Sequence, residues 1–172
     1  MSSRSSEGRS ILLVGERGNF QNLSGRKISW RVLHRIGAFK DGPSGKRLKG
    51  LGLEWGESIN LLSPMPTKAA THDPHDVEEM RENAWMTLLH ARVSGAVIVS
   101  CGQRATEALG AKYTPLSIQE IEGVILYVLP HPSGRNRWWN SNSELAKEFI
   151  QLIMRETRET HPEASSTSPP VE

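Results

Sequence analysis

The stretch Val124–Asn136, VILYVLPHPSGRN, joins an apolar run to an abrupt polar turn. Its first six residues are apolar and partly β-branched, which predicts a buried strand over Val124–Leu129. Pro130, Pro132 and Gly134 then impose a sharp backbone around an imidazole, a hydroxyl and a guanidinium. Because open α/β sheets bind ligands at the carboxyl ends of their strands, this turn is the first candidate for a functional site.

Three earlier apolar runs have the same strand-like character: Ile11–Val14, Ser58–Leu62 and Ala96–Ser100. Between and after the runs, the sequence predicts helices: one capped by Ser24 that continues through Ile36, one capped by Asp73 with Pro74 at its first position, one over Gln103–Leu109, and one capped by Ser143. The Gly- and Lys-rich residues 40–56 are interpreted as a loop. Strands alternating with helices predict a three-layer α/β/α fold with a four-stranded, mostly parallel sheet.

The chain of 172 residues is long enough for one domain with a substantial core, which we assign to residues 11–158. Residues 1–10 are rich in Ser and Arg, and residues 159–172 are rich in Pro, Ser and Thr. Both segments are predicted to be disordered.

Composition excludes several classes of protein. The single cysteine, Cys101, rules out a disulfide framework or a four-thiolate cluster within the chain. No apolar run approaches membrane-spanning length and the N-terminus lacks a signal-peptide core, so we expect a cytoplasmic protein. We also expect a monomer and no cofactor. The formal net charge is only +2, but basic residues crowd the first third and the late loop, which favours a polyanionic partner.

His72, His75 and Asp76 form the most conspicuous group of potential metal ligands in the sequence. They surround the predicted start of a helix, where capping and interaction with the helix dipole account for such residues. No metal site is therefore predicted.

Polar residues lie within or just after three of the predicted strands. Glu16 and Asn19 follow the first strand, Asn60 lies within the second, and His131 follows the fourth. If these strands are parallel, the side chains gather at one edge of the sheet. This convergence is the central structural expectation.

Four segments, in order, resemble the uracil-DNA glycosylase superfamily, nearest to its iron–sulfur branch. They are Ile11–Glu16, Ser58–Leu62 with the prolines that follow, Ala96–Gly110, and Leu129–Asn136 with its His-Pro-Ser. The chain departs from that branch in lacking the cluster cysteines and in carrying Arg17-Gly18-Asn19 where a small residue, proline and glycine are usual.

The resemblance implies roles for individual residues. Asn60 would read the edge of a flipped base, His131 would donate to a base carbonyl oxygen, and Glu16 would position water or stabilise the sugar cation. Asn19 and Phe20 would also bind the base. Ile28 stands near the position where the family has a stacking phenylalanine, and Phe20 would take over that role. The implied DNA-binding residues are Ser133, Gly134, Arg135, Asn136, Arg137, Trp138 and Trp139.

The resulting hypothesis is a monofunctional DNA glycosylase that hydrolyses the N-glycosidic bond of uracil or a modified pyrimidine, in repair or in defence against phage. One alternative is a catalytically silent DNA-binding or base-sensing module, and another is a nucleotide- or sugar-processing enzyme. Structural roles also remain open for single residues: Glu16 paired with Arg17 or Arg26, Asn60 stabilising a turn, and Trp138 or Trp139 packing under the last helix.

Overall fold

The computed structural model describes residues 8–17, 28–39, 42–63 and 74–158. Within them, strands and helices alternate along the chain. Their bounds are β1 (Ile11–Arg17), α1 (Trp30–Ile36), α2 (Pro43–Gly50), β2 (Glu57–Leu62), α3 (Pro74–Ser94), β3 (Val97–Cys101), α4 (Gln103–Ala108), β4 (Ile118–Ile121), β5 (Val124–Leu129) and α5 (Trp138–Arg158).

The strands form one sheet in the order β2-β1-β3-β5-β4. The first four of these run parallel, and β4 pairs with β5 in the antiparallel direction. The four predicted strands are thus confirmed in position and direction. In register, Gly15 lies opposite Asn60, and Cys101 lies opposite Leu129.

Helices cover both faces of the sheet, which confirms the three-layer α/β/α architecture. Leu12 and Val14 of β1 face the core formed with α1, α3 and α4, whereas Ile11 and Leu13 face the core formed with α2 and α5. Because side chains alternate along a strand, a strand buried on both faces must be apolar at every position. This explains the continuous apolar run of β1.

The edge strand β4 was not predicted. Its residues alternate between exposed and half-buried, because only one face of an edge strand is covered. The two polar residues at its centre, Gln119 and Glu120, concealed it in the sequence. The turn into β5 places Glu122 at φ 52° and Gly123 at φ 82°, two left-handed residues that suit a tight hairpin.

The helix α2 was also missed, since residues 40–56 were interpreted as a loop. Pro43 stands at its first position, and Leu48 is its main apolar contribution to the core. A helix of this length with a single large buried side chain leaves almost no periodic signal.

Two helix starts differ from prediction. The hydroxyl of Ser29 caps α1 by accepting the Val32 N–H at 3.3 Å, whereas Ser24, like Asp73, lies outside the described residues. The element α5 begins at Trp138 but consists of two helices joined by a kink at Asn142, so its second helix begins next to the predicted cap Ser143 and only the first helix was missed.

The predicted disorder of residues 1–10 does not extend to the described part of that segment. The Arg9 N–H donates to the Thr157 carbonyl oxygen at 2.7 Å, and the Val97 N–H donates to Ser10 at 2.9 Å. Residues 1–7 and 159–172 lie outside the described residues. Within the described ranges, no helix has the length and apolar character needed to cross a membrane.

Gly45→Ala tests the packing of α2 against the segment before it. A Cβ at Gly45 would lie 1.8 Å from the Phe39 carbonyl oxygen, whereas one at Gly50, in the same helix, would meet nothing within 4 Å. We expect Gly45→Ala to lower the free energy of unfolding by about 1–3 kcal/mol, the usual cost of overpacking.

Thermal denaturation followed by circular dichroism provides the measurement. The loss corresponds to a fall in Tm of roughly 2–12 °C. The matched control Gly50→Ala should leave Tm unchanged or raise it, because alanine is the better helix former. Equal Tm values for the two variants would contradict the contact.

Candidate active site

The strand order of the sheet reverses between β1 and β3, and we call the region at the carboxyl ends of these two strands the crevice. From β1 the chain continues to β2, the neighbouring strand in one direction across the sheet. From β3 it continues to β5, the neighbouring strand in the opposite direction. Such a reversal separates the loops that leave the two central strands. The predicted convergence of polar residues falls around this crevice.

Gly15, Asn60 and Phe39 meet on one wall of the crevice. A Cβ at Gly15 would lie 2.6 Å from both Asn60 Oδ1 and Phe39 Cζ, so only glycine permits this close approach. Asn60 is 8% exposed, and no group among the described residues forms a hydrogen bond with its amide. Among the described residues, the one buried side-chain atom without a hydrogen-bond partner is Arg17 Nε, so the Asn60 amide is open to solvent and can pair with a ligand.

Phe39 is held at this wall by a side chain of β2. The Ala38 N–H donates to Ser58 Oγ at 2.7 Å, and the Ser58 hydroxyl donates back to the Ala38 carbonyl at 3.0 Å. Ser58 and Asn60 share one face of the strand because side chains alternate. Phe39 itself has φ 58°, a left-handed conformation that is strained for a bulky residue and is typical of functional sites.

His131 is fixed through its backbone and one ring nitrogen. Its carbonyl oxygen accepts hydrogen bonds from the Asn136 amide and the Trp139 indole, both at 2.8 Å. Its Nδ1 accepts the Ser133 N–H at 3.2 Å, so the neutral ring carries its proton on Nε2. The His131 ring lies edge-on to Phe39, with 5.9 Å between ring centroids.

The environment of His131 favours this neutral form. Burial lowers the pKa of the imidazole below its usual range, and the negative charge of Glu16 opposes that effect only in part. The ring is therefore a neutral donor through Nε2–H at physiological pH.

Glu16 is held by a helix on the other side of the crevice. Its Oε2 forms an ion pair with Arg104, which lies in the first turn of α4. The expected alternative partner Arg17 instead pairs with Asp76 at 2.8 Å, and Arg26 lies outside the described residues. The carboxylate is thus oriented from α4 while its charge acts on His131.

The loop after β5 divides into internal and exposed residues. The Ser133 carbonyl accepts a hydrogen bond from Arg47 at 2.9 Å, and Asn136 bonds to His131 and to the Trp138 N–H. Trp139 is 3% exposed and lies under the Arg47 guanidinium.

This burial changes the interpretation of the two tryptophans. Trp139 was expected to contact DNA, but its ring is enclosed by the core and its N–H holds His131. Trp138 is partly buried against the same core. Gly134, Arg135 and Arg137 are exposed and remain available to a partner.

Sequence reasoning brought together Glu16, Asn60 and His131 but missed Phe39 and Arg104. Phe39 lies two residues after Gly37 and directly before the Gly- and Lys-rich segment, where no periodic pattern marks it. Arg104 is the second residue of α4, the helix that follows β3 after Gly102, and that position was the available signal. Asn19 and Phe20 lie outside the described residues.

A scan against protein-family models and a search of curated proteins find no match for this chain.

Glu16→Gln tests the electrostatic coupling across the crevice. Since the carboxylate charge raises the His131 pKa, its removal should lower that pKa further. NMR titration of the imidazole C–H resonances measures the change. Glu54→Gln, which alters an exposed carboxylate on the segment before β2, should leave the pKa unchanged. A rise in the His131 pKa of Glu16→Gln would contradict the arrangement.

Proposed function

We propose that the crevice is the active site of a monofunctional DNA glycosylase that removes uracil or a modified pyrimidine. The observation that carries the proposal is the meeting of an aromatic ring, an unpaired amide, a neutral imidazole and a carboxylate at one end of the sheet. The resemblance of the surrounding motifs to the uracil-DNA glycosylase superfamily supports the same function.

Phe39 and Asn60 would recognise the base. An aromatic side chain stacks on a base face, and an amide offers both a donor and an acceptor to the base edge. These two side chains lie against the same glycine, so a base in contact with Phe39 would be close to Asn60. A base inside a duplex reaches such a wall only after it is flipped out of the stack.

His131 would stabilise the departing base. When the bond between the sugar C1′ and the base nitrogen breaks, its electron pair passes to the base and negative charge builds on a carbonyl oxygen. A fixed Nε2–H donor near that oxygen lowers the barrier without being reorganised during the reaction. The bond from the Ser133 N–H to Nδ1 keeps the donor in the required tautomer.

Glu16 would act on the sugar and on water. A carboxylate beside the crevice stabilises the positive charge that develops on the sugar, and it orients a water molecule whose oxygen bonds to C1′. The products are a free base and an abasic sugar, with the proton of water passing to the carboxylate or to solvent. Arg104 would hold the carboxylate in place.

A basic groove supports a polyanionic partner. Two adjoining concavities of about 460 and 550 Å³ share Gly50 and Leu51, between α2 and α5. One begins at Trp139, beside the His131 loop, and the basic residues along the two are Lys46, Arg47, Lys49, Lys147, Arg155 and Arg158. Phosphates bound along this groove would bring a nucleotide to the crevice.

The catalytically silent, base-sensing module is the second candidate. The ion pair with Arg104 favours it, because a guanidinium bound to a carboxylate oxygen competes with water for the same group. This module would keep the wall formed by Phe39 and Asn60 but would release no base.

Incubation with defined DNA substrates separates the two candidates. Single- and double-stranded oligonucleotides would carry uracil, hydroxymethyluracil, or hydroxymethylcytosine with and without glucose. We expect abasic sites in at least one substrate, detected as strand breaks after alkali. His131→Ala should reduce the rate about 10²–10³-fold, as loss of one transition-state donor does. Glu16→Gln should reduce it about 10²–10⁴-fold.

The controls decide what a negative result means. Glu54→Gln, on the exposed segment before β2, should retain the wild-type rate. Binding to these DNAs without base release would favour the silent module. Activity on free nucleosides with no requirement for DNA would instead support a nucleoside-processing enzyme.

Arg135 and Arg137 should contribute separately to DNA affinity. Each exposed guanidinium that contacts a phosphate adds about one unit to the slope of log affinity against log salt concentration. Arg135→Ala and Arg137→Ala should each reduce that slope by about one, as measured by fluorescence anisotropy. The control Arg92→Ala, near the amino end of β3, should leave it unchanged. Slopes unaffected by either loop variant would exclude the loop from the interface.

A further inference from the structure

Three side chains meet at the amino-terminal end of β2, which is the end of the strands opposite the crevice. Glu57 is the first residue of β2, His34 lies on α1 and His90 lies on α3. Both imidazoles direct Nε2 at the same carboxylate oxygen, Glu57 Oε1, at 2.8 Å from His34 and 2.7 Å from His90.

A tryptophan braces the two imidazoles. Trp30 is stacked on His34, with 4.9 Å between centroids and 18° between planes, and it lies 5.3 Å from the His90 ring. The Trp30 indole N–H donates to Thr87 Oγ1 at 2.9 Å, which fixes the indole against α3. The rings are therefore oriented by packing as well as by Glu57, and this lowers the cost of ordering them around a ligand.

We propose that His34, Glu57 and His90 form a binding site for a divalent transition-metal ion of the zinc class. The ligand atoms, two imidazole nitrogens and a carboxylate oxygen, all lie within 4.8 Å of one another. Zinc bonds of about 2.1 Å place tetrahedral ligands about 3.4 Å apart, so these atoms are near the spacing that an ion requires.

The donor set selects among metals. Imidazole nitrogen suits zinc, cobalt, nickel and copper, whereas magnesium and calcium prefer oxygen ligands alone. The three side chains are 23%, 50% and 30% exposed for His34, Glu57 and His90, so an ion can reach them from solvent. Three protein ligands leave the fourth tetrahedral position to water or to another molecule.

The site would join three elements of the fold. Because α1, β2 and α3 each supply one ligand, a bound ion would cross-link the two helices to the strand that carries Asn60. The metal site lies at the opposite end of the strands from the crevice. Zinc binding can therefore be tested independently of base excision.

Zinc binding to the full chain, stripped of metal with a chelator, tests the proposal. Titration in competition with a chromophoric zinc indicator should give one site per chain. His34→Ala, His90→Ala and Glu57→Gln should each weaken the affinity about 10-fold or more. Zinc should also raise the Tm of the wild-type protein, since it binds only the folded arrangement.

Two controls isolate the cluster from other histidines and carboxylates. The double variant His72→Ala/His75→Ala and the single variant Glu54→Gln should bind zinc as the wild type does. Cobalt gives a measurement that does not depend on the variants folding well: in the wild-type protein it should produce the visible absorption of a four-coordinate ion.

Specific outcomes would overturn the site. Zinc affinity unchanged in all three cluster variants would do so, as would loss of binding in the His72/His75 double variant alone. Equal Tm of the wild type with and without saturating zinc would show that the cluster is only a pair of hydrogen bonds to a shared carboxylate.

Discussion

Parallel pairing of β1 with a strand on each side is the constraint on which the crevice depends. Parallel strands end at the same edge, so the last residues of β1 and β2 and the residues that follow β3 and β5 meet there although they are distant in sequence. Register matters as much as direction. A slip of one residue in β2 would turn Asn60 to the other face and remove it from Gly15 and Phe39.

The sequence was sufficient for the strands that pair on both sides and for the polar residues that end them. Glu16, Asn60 and His131 each stand beside or within a continuous apolar run, and the common direction of the runs follows from the helices between them. The edge strand β4 and the short helix α2 were missed because each buries few apolar side chains. A periodic pattern of apolar residues arises only where one face of an element is buried.

The remaining site residues depend on contacts that no local pattern encodes. Phe39 reaches the crevice because Ser58, on another element, holds the preceding residue. His34, Glu57 and His90 come from three separate elements, so no short stretch of sequence contains them together as one contains His72 and His75. Trp139 lies among polar residues, which favoured an exposed position, yet its ring is buried in the core and its N–H binds the His131 carbonyl oxygen.

The hydrogen bond between Arg9 and Thr157 has a consequence for how the domain can be joined to other proteins. It brings the strand entry beside the last turn of α5, at the edge of the sheet remote from the crevice. Residues 9 and 157, near the two ends of the described range, are therefore side by side. A version of the domain that begins near residue 8 and ends near residue 158 could be inserted into a surface loop of a larger scaffold with short linkers, with its crevice facing away from the host.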